Sequence, residues 1–266
     1  MALPLSVITI CRDRAGELPR TLDSLAAVRA LVPIQWVVVD GASGDGSAEL
    51  LRAALRPGDR MVSERDRGIA DAFNKGLGMA DGAAVLFMNA GDEFAAPTAL
   101  AAALAGWERA RARWLVAAGE VVDAGGRTLF VRRPPLPLRD PWSLVRTNCQ
   151  ILHQAVIADR ALFAELGGFD ERWRIGMDYE LWLRWLRAGH VPQASAEILC
   201  RFHRGGASGD PVRNVAEERA IRRRHGVALP AVAEGALHAA AWTKRVLRGR
   251  YGRWLYRLKE RLGVRI

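Results

Sequence analysis

The 266-residue chain has little of what marks secreted or membrane-spanning proteins. Its three cysteines, Cys11, Cys149 and Cys200, are odd in number and far apart. That pattern is typical of reduced thiols in a cytoplasmic protein and argues against a disulfide framework or a zinc site. No apolar run approaches the ~20 residues that a membrane-spanning helix needs. The first residues lack a basic region, so we expect no signal peptide.

Two phosphate-binding motifs and any internal repeat are also absent. No Gly-x-Gly-x-x-Gly follows the first apolar run, and no Gly-x-x-x-x-Gly-Lys-[Ser/Thr] occurs anywhere. Their absence counts against a dinucleotide-dependent oxidoreductase and against a P-loop NTPase.

Charge is abundant but unevenly placed. The formal net charge is +10, which attracts nucleic acid, anionic lipid or phosphorylated substrates without choosing among them. Much of the excess lies in the last segment, where Leu247, Tyr251, Trp254, Leu255, Leu258 and Leu262 recur at helical spacing between basic residues. This predicts a basic amphipathic helix, either on an anionic membrane surface or docked on the protein. Since no nucleic-acid motif occurs, we expect no nucleic-acid partner.

Apolar periodicity predicts an α/β fold. The first 90 residues alternate strands and helices, which favours a parallel sheet with helices on both faces. The predicted strands are Leu5–Ile10, Ile34–Val39, Arg60–Ser63 and Ala84–Met88, and the helices are Leu18–Val28, Ser47–Leu55 and Ile69–Met79. The second half mixes a hairpin (114–132), a proline-rich connector (133–142) and the helices Thr98–Ala112, Ala161–Leu166, Asp178–Ala188 and Val212–His225. The pattern divides the chain into a nucleotide-binding half (1–95), an acceptor-binding half (96–210) and a helical basic extension (211–266).

Polar residues follow the predicted strands where an open α/β sheet binds its ligands. Asp92 ends the fourth run, with Asn89 three residues before it, and its carboxylate suits a divalent metal held against a phosphate. Asp40 ends the second run, where it can accept hydrogen bonds from a base or ribose or simply form a turn. Cys11 and Arg12 end the first.

Three further groups admit both a functional and a structural interpretation. Asp71 and Asn74 share a helix face with Lys75, as ligand contacts or as a solvated ion pair. Asp178 begins a helix, as an N-cap or as a general base. In the basic, glycine-rich stretch 201–208, His203 can reach a metal or a phosphate oxygen, or the stretch is a surface loop.

Taken in order, these motifs resemble the family 2, GT-A type glycosyltransferases over about residues 5–208, and most closely the bacterial polysaccharide enzymes of the colanic-acid type. The segments that carry the resemblance are Ser6–Ile10, Val37–Gly46, Ser63–Gly76, Leu86–Asp92, His153-Gln154, Gly168–Asp170 and Asp178–Leu181. The resemblance implies a GT-A (Rossmann-like), mostly parallel sheet flanked by helices over residues 1–210. It also implies inverting transfer from a nucleotide-diphosphate sugar, with a UDP-sugar favoured.

The resemblance also assigns residues. Asp178 matches the catalytic base, and Asp92 with His203 matches the site of a divalent metal, Mn²⁺ or Mg²⁺. The implied nucleotide-binding residues are Cys11, Arg12, Asp40, Gly41, Asp66, Gly68, Asp71, Asn74 and Asn89. The implied residues on the acceptor or diphosphate side are His153, Gln154 and Arg204. A glycan or lipid-linked acceptor in exopolysaccharide biosynthesis, and a cytoplasmic protein peripheral on the inner face of the plasma membrane, complete the expectation.

Two departures qualify these assignments. The family's Asp-x-Asp-Asp reads Asn89-Ala90-Gly91-Asp92, so only one carboxylate remains. Arg12 replaces a stacking aromatic residue, and a guanidinium also stacks on a flat ring. The depleted acidic motif leaves a non-catalytic nucleotide-sugar-binding protein as the alternative.

Overall fold

Nine strands of the described chain form a single mixed sheet. The computed structural model describes residues 5–147, 149–203, 210–227 and 229–248. The strands are β1 Leu5–Cys11, β2 Ile34–Asp40, β3 Arg60–Ser63, β4 Ala84–Phe87, β5 Glu93–Phe94, β6 Trp114–Val122, β7 Thr128–Arg132, β8 Val156–Asp159 and β9 Gln193–His203. The helices are α1 Leu18–Arg29, α2 Ser47–Ala53, α3 Ile69–Met79, α4 Pro97–Ala110, α5 Arg160–Leu166, α6 Met177–Arg187, α7 Pro211–Arg224 and α8 Ala231–Arg248, with short 3₁₀ turns at Pro141–Leu144 and His153–Ala155.

The first half has the predicted parallel arrangement. Strands β3, β2, β1 and β4 lie side by side in that order, and each of the three pairs is parallel. Successive side chains of β1 point to opposite faces, so Val7 and Ile8 enter two separate cores. Helix α3 packs closely on one face, because a Cβ at Gly76 would lie 2.4 Å from the Ile8 Cγ2 atom. The carboxyl ends of these strands therefore meet at one edge.

The second half makes the sheet as a whole mixed rather than mostly parallel. Strand β8 pairs antiparallel with both β4 and β6, and β9 runs parallel to β6 and antiparallel to β5. The stretch 201–208, interpreted from sequence as a loop, begins inside a strand, since Arg201–His203 belong to β9. Pairing with β6 accounts for this, because His203 lies in register with Val122.

An indole cluster fixes α6 against the sheet. Trp114 of β6 stacks on Trp182 of α6, with ring centroids 5.4 Å apart and an interplanar angle of 8°. Trp185 meets both rings edge-on, at 5.3 Å and 5.0 Å. All three side chains are fully buried. Helix α6 therefore has a defined position relative to β6.

The C-terminal helices α7 and α8 dock on the α/β body. The Arg222 side chain is fully buried and forms hydrogen bonds to both carboxylate oxygens of Glu234, at 2.9 Å and 3.0 Å, and to the Thr147 carbonyl at 3.2 Å. The basic stretch 249–266 lies outside the described residues. Within the described chain, no helix has the length and apolar content needed to cross a bilayer.

Candidate functional site

A cleft of about 400 Å³ opens at the carboxyl ends of β1, β4 and β9 and at the first turns of α3 and α6. This is where an open α/β sheet binds ligands. Nine of the residues predicted from sequence line it: Cys11, Arg12, Asp66, Gly68, Asn89, Asp92, His153, Asp178 and His203. The structure thus brings into one cleft predicted residues that lie more than 190 positions apart in the sequence.

Asp40 was expected to contact the nucleoside, but it lies outside the cleft lining. Its side chain is fully buried, and its carboxylate accepts hydrogen bonds from the Ser43 backbone N–H, the Ser43 hydroxyl and the Ser63 hydroxyl. The serines that follow β2 and end β3 therefore supply hydrogen bonds to the carboxylate for which the sequence pattern predicted a ligand. Asp40 anchors the loop after β2.

Asp71 and Asn74 likewise brace the walls of the cleft without lining it. The Asp71 carboxylate accepts the Arg67 backbone N–H at 3.0 Å, which holds its pKa below the usual value, and it pairs with the Arg67 guanidinium at 2.7 Å. The Asn74 amide donates to the Phe169 carbonyl and accepts from the Phe169 N–H, both at 2.8 Å. Both side chains thus form hydrogen bonds within the protein, and their contact with a nucleotide stays a prediction.

Three further predicted residues have different outcomes. A Cβ at Gly41 would lie 2.9 Å from the Asp66 Oδ2 atom and 3.3 Å from the Arg12 Cβ, so glycine lets these two side chains sit together beside it. Gln154 is buried behind the cleft and holds Asp92. Arg204 lies outside the described residues.

The sequence interpretation missed three charged residues of the cleft, Arg14, Glu17 and Arg20. The loop that carries the first two is tied to the loop after β2. There Ser47 Oγ accepts the Arg14 N–H and Asp45 Oδ2 accepts the Ala15 N–H, at 2.9 Å and 2.8 Å. The three-residue spacing of Arg14, Glu17 and Arg20 was the signal that could have identified them, because it places the three side chains on one side of the chain as it enters α1.

Asp92 is almost entirely enclosed. One of its carboxylate oxygens accepts the Gln154 side-chain N–H at 2.6 Å, and the other accepts the His203 backbone N–H at 3.0 Å. Burial raises the pKa of Asp92 to about 6. The His203 ring is engaged on both sides, with Nδ1 2.7 Å from the Arg20 guanidinium and Nε2 3.0 Å from the Glu93 carboxylate.

These residues do not fit a divalent metal as they are arranged. Such an ion takes several oxygen or nitrogen ligands, whereas the described chain holds no group of three or more His, Cys, Asp or Glu residues placed to share one. Both ring nitrogens of His203 already have partners, the Arg20 guanidinium at Nδ1 and the Glu93 carboxylate at Nε2. The Glu17 carboxylate fills the space beside Gly91, 2.8 Å from where a Cβ would lie, but it is paired with Arg14.

Asp178 is placed to accept a proton. Gly176 is the N-cap of α6, so the interpretation of Asp178 as a cap was wrong, and Asp178 is the second residue of the helix. Its Oδ1 accepts the Tyr179 N–H at 2.7 Å, and its Oδ2 lies 3.7 Å from the His153 Nδ1. The His153 Nε2 lies 3.0 Å from the Asn89 amide. The Asn89 Oδ1 atom is buried and has no partner among the described residues, so it can accept a ligand hydroxyl.

Sequence comparison matches the chain to a known protein family and to several curated relatives. The family described as Glycosyl transferase family 2 matches residues 6–162. An uncharacterized glycosyltransferase of Mycobacterium tuberculosis is 32% identical over 212 residues, which cover 76% of each chain. A PGL/p-HBAD biosynthesis glycosyltransferase of Mycobacterium bovis is 28% identical over 190 residues, covering 69% of this chain and 70% of the relative.

Comparison with solved structures supports the same fold. S. aureus TarS (residues 1–349) in complex with UDP-GlcNAc aligns with a TM-score of 0.64 at 18% identity, over 94% of this chain and 74% of that one. The mannosyltransferase PcManGT from Pyrobaculum calidifontis, in complex with GDP-Man and Mn²⁺, aligns with a TM-score of 0.62 at 19% identity, over 98% and 81%. At these identities the likeness establishes the fold alone.

Proposed function

The chain belongs to glycosyl transferase family 2 and has its GT-A type fold, and from that premise we propose that it transfers a sugar from a nucleotide-diphosphate sugar to an acceptor hydroxyl with inversion. The observation that carries the proposal is the Asp178 carboxylate, which opens onto the same cleft as Arg14 and Arg20. A proton acceptor and a cationic end within one cavity are what this transfer needs.

The nucleoside end lies beside β1 and α3. Asp66 lines the cleft there while accepting a hydrogen bond from Lys75 Nζ at 2.8 Å. The exposed Arg12 guanidinium lies 3.8 Å from the Asp13 carboxylate and can stack on a base. Similar structures were solved with UDP, UDP-GlcNAc and GDP-Man, which supports a nucleotide-sugar donor. We propose a UDP-sugar.

The diphosphate lies among the basic side chains that enter α1. Arg14 and Arg20 offer planar guanidinium groups, which form strong hydrogen bonds to phosphate oxygens. They stabilise the negative charge that grows on the diphosphate as it leaves. Family membership and the neighbour solved with Mn²⁺ favour a divalent cation, Mn²⁺ or Mg²⁺. Since the ligand set does not fit one as arranged, we assign no step to it.

The chemical step is a single displacement. The acceptor hydroxyl oxygen attacks the anomeric carbon from the face opposite the diphosphate, and the carbon–oxygen bond to the diphosphate breaks. Asp178 Oδ2 takes the hydroxyl proton. The His153 Nδ1 atom lies 3.7 Å from that oxygen. Attack from the opposite face inverts the anomeric configuration.

Asp178→Asn tests this assignment, because the amide keeps the shape but cannot accept the proton. We expect transfer to fall by about 10²–10⁴-fold. Donor binding, followed by thermal shift with UDP-sugars, should stay within about twofold of wild type. Asp23→Asn, at an exposed acid of α1, is the matched control. Loss of donor binding and folding together would assign Asp178 a structural role instead.

A second candidate function is non-catalytic binding of a nucleotide sugar. The observation that favours it is the motif Asn89-Ala90-Gly91-Asp92, which has one carboxylate and no arranged metal site. The two candidates differ in one measurement on purified wild-type protein. Release of free nucleotide from a UDP-sugar, with or without an acceptor, excludes the binding protein.

The acceptor and the location are argued from the composition of the C-terminal stretch. We propose a glycan or lipid-linked acceptor in exopolysaccharide biosynthesis, reached by a cytoplasmic protein that attaches peripherally to the inner face of the plasma membrane. Residues 249–266 carry six basic residues against one acid, together with five aromatic or leucine positions at helical spacing, and this composition supports binding to an anionic surface.

A further inference from the structure

The segment that leads into α6 is held by a carboxylate from another helix. Glu217 of α7 accepts hydrogen bonds from the consecutive backbone N–H groups of Arg174, Ile175 and Gly176, at 2.7 Å, 2.8 Å and 2.9 Å. Helix α6 begins at the next residue, and Asp178 follows. A carboxylate that accepts several amide bonds is a strong and directional anchor.

The two helices approach as closely as a glycine permits. A Cβ at Gly176 would lie 2.8 Å from the Ile221 Cδ1 atom and 3.8 Å from the Glu217 Oε2 atom. The next residue on each side, Ile175 and Met177, lines the cleft. A displacement of the Glu217 anchor would therefore move the wall of the cleft itself.

The anchor is itself braced. One contact is the buried pair of Arg222 with Glu234. The other is at the C-terminal end of α7, where the His225 Nε2 atom lies 2.9 Å from the Glu180 carboxylate of α6. A fixed helix that grips the entry to α6 sets the direction in which Asp178 faces. The negative charge of Glu217 also suits the positive end of the α6 dipole.

We propose that Glu217 is a positioning residue for sugar transfer, which holds Arg174–Gly176 so that the Asp178 carboxylate faces the acceptor. The proposal rests on the proposed role of Asp178 as the base. The proposal makes α7 part of the catalytic unit. This helix follows residues 1–210, which the sequence predicted to form the catalytic domain, and it follows the residues 6–162 that match the family.

Steady-state kinetics of Glu217→Ala and Glu217→Gln test the proposal. Because small misplacements of a reacting group cost about 10²-fold, we expect kcat of the alanine variant to fall by about that factor. The KM for the donor should stay within about twofold, since the donor site lies on β1 and α3. Glutamine keeps an acceptor oxygen, so its loss should be smaller. Glu108→Gln, an exposed acid near the end of α4, is the control.

Hydrogen–deuterium exchange supplies a readout that does not need activity. The amides of 174–176 should exchange slowly in wild type and faster in Glu217→Ala, with the amides of β1 and β2 unchanged. An alanine variant with kcat within twofold of wild type, or with unchanged exchange at 174–176, would overturn the proposal. So would a loss of kcat matched by a loss of donor affinity and of Tm. If wild type transfers no sugar, the proposed function fails, and exchange alone then decides whether Glu217 holds the segment.

Discussion

Gly91 shows how one residue can separate this cleft from its family pattern. It has a φ of +97°, and the Glu17 carboxylate lies 2.8 Å from the position of a Cβ. Residues with side chains rarely adopt this backbone conformation. A carboxylate cannot simply be returned to position 91, because both the backbone and Glu17 oppose it.

Gly91→Ala should therefore destabilise the protein, by about 1–3 kcal/mol, because alanine is strained at this φ. Urea denaturation followed by tryptophan fluorescence measures the change. Gly44→Ala is the matched control, since a Cβ there meets nothing within 4 Å and its φ is not in the left-handed region. Equal stability of the two variants would contradict the strain argument.

Arg20 bears on the question of a metal. Its guanidinium lies 2.7 Å from the His203 Nδ1 atom, which leaves that nitrogen engaged with a cationic group. Arg20→Ala removes a positive charge and frees that nitrogen, so we expect Mn²⁺ to bind more tightly and UDP without metal to bind more weakly. Isothermal titration measures both affinities. Arg52→Ala, on α2 away from the cleft, serves as control. Weaker Mn²⁺ binding by the Arg20 variant would show that the arginine assists the ion.

At the scale of elements, α7 carries a half-buried acid, Glu218, whose negative charge is disfavoured by its surroundings. Burial raises the pKa of Glu218 to about 7, against its ordinary 4.5, while Arg222 opposes the rise. Folding thus favours the protonated form. The stabilising effect is complete below about pH 4.5, where both states are protonated, and is lost as the pH rises through 7.

Glu218→Gln should remove that pH dependence. The variant and wild type should have similar free energies of unfolding at pH 5, whereas at pH 8 the variant should be more stable, by about 2–3 kcal/mol at most. Urea denaturation at the two pH values provides the comparison. Parallel pH profiles for the two proteins would be inconsistent with a raised pKa at Glu218.

The sequence indicated the elements better than the directions of their side chains. Apolar runs that end in polar residues located β1 to β4 and the edge at which the cleft opens. Asp40 and Asp71 sit at the expected strand and helix ends but turn to Ser43, Ser63 and Arg67, partners that local periodicity does not reveal. Two specific contacts between residues distant in sequence were missed: Arg20 meets His203 across 183 positions, and Glu217 meets Arg174 across 43.

At the scale of the whole molecule, the C-terminal region has two parts. Helices α7 and α8 dock on the body, and Ala241 of α8 is buried, so a truncation must spare α8 to keep the fold intact. Beyond it lies the basic stretch proposed to bind membranes.

Deleting residues 249–266 should release the protein from anionic vesicles and leave donor binding unchanged. Co-sedimentation with vesicles of phosphatidylglycerol and phosphatidylcholine measures the first effect, and thermal shift with UDP the second. Added salt should weaken vesicle binding of the full chain, because exposed charges are screened. A deleted chain that still sediments would locate the membrane contact elsewhere.

A filter-binding salt series with DNA and RNA tests the expected absence of nucleic-acid binding.

The stacked indoles of Trp114 and Trp182 also give the molecule a built-in optical reporter. Two nearly parallel rings 5.4 Å apart, with Trp185 edge-on to both, couple their electronic transitions, so the folded protein should show a tryptophan band in circular dichroism that Trp182→Phe weakens. One ring belongs to the sheet and the other to the helix that carries Asp178. The band therefore reports the packing of α6, the helix that carries the proposed base, against the sheet in solution, and it needs neither substrate nor label.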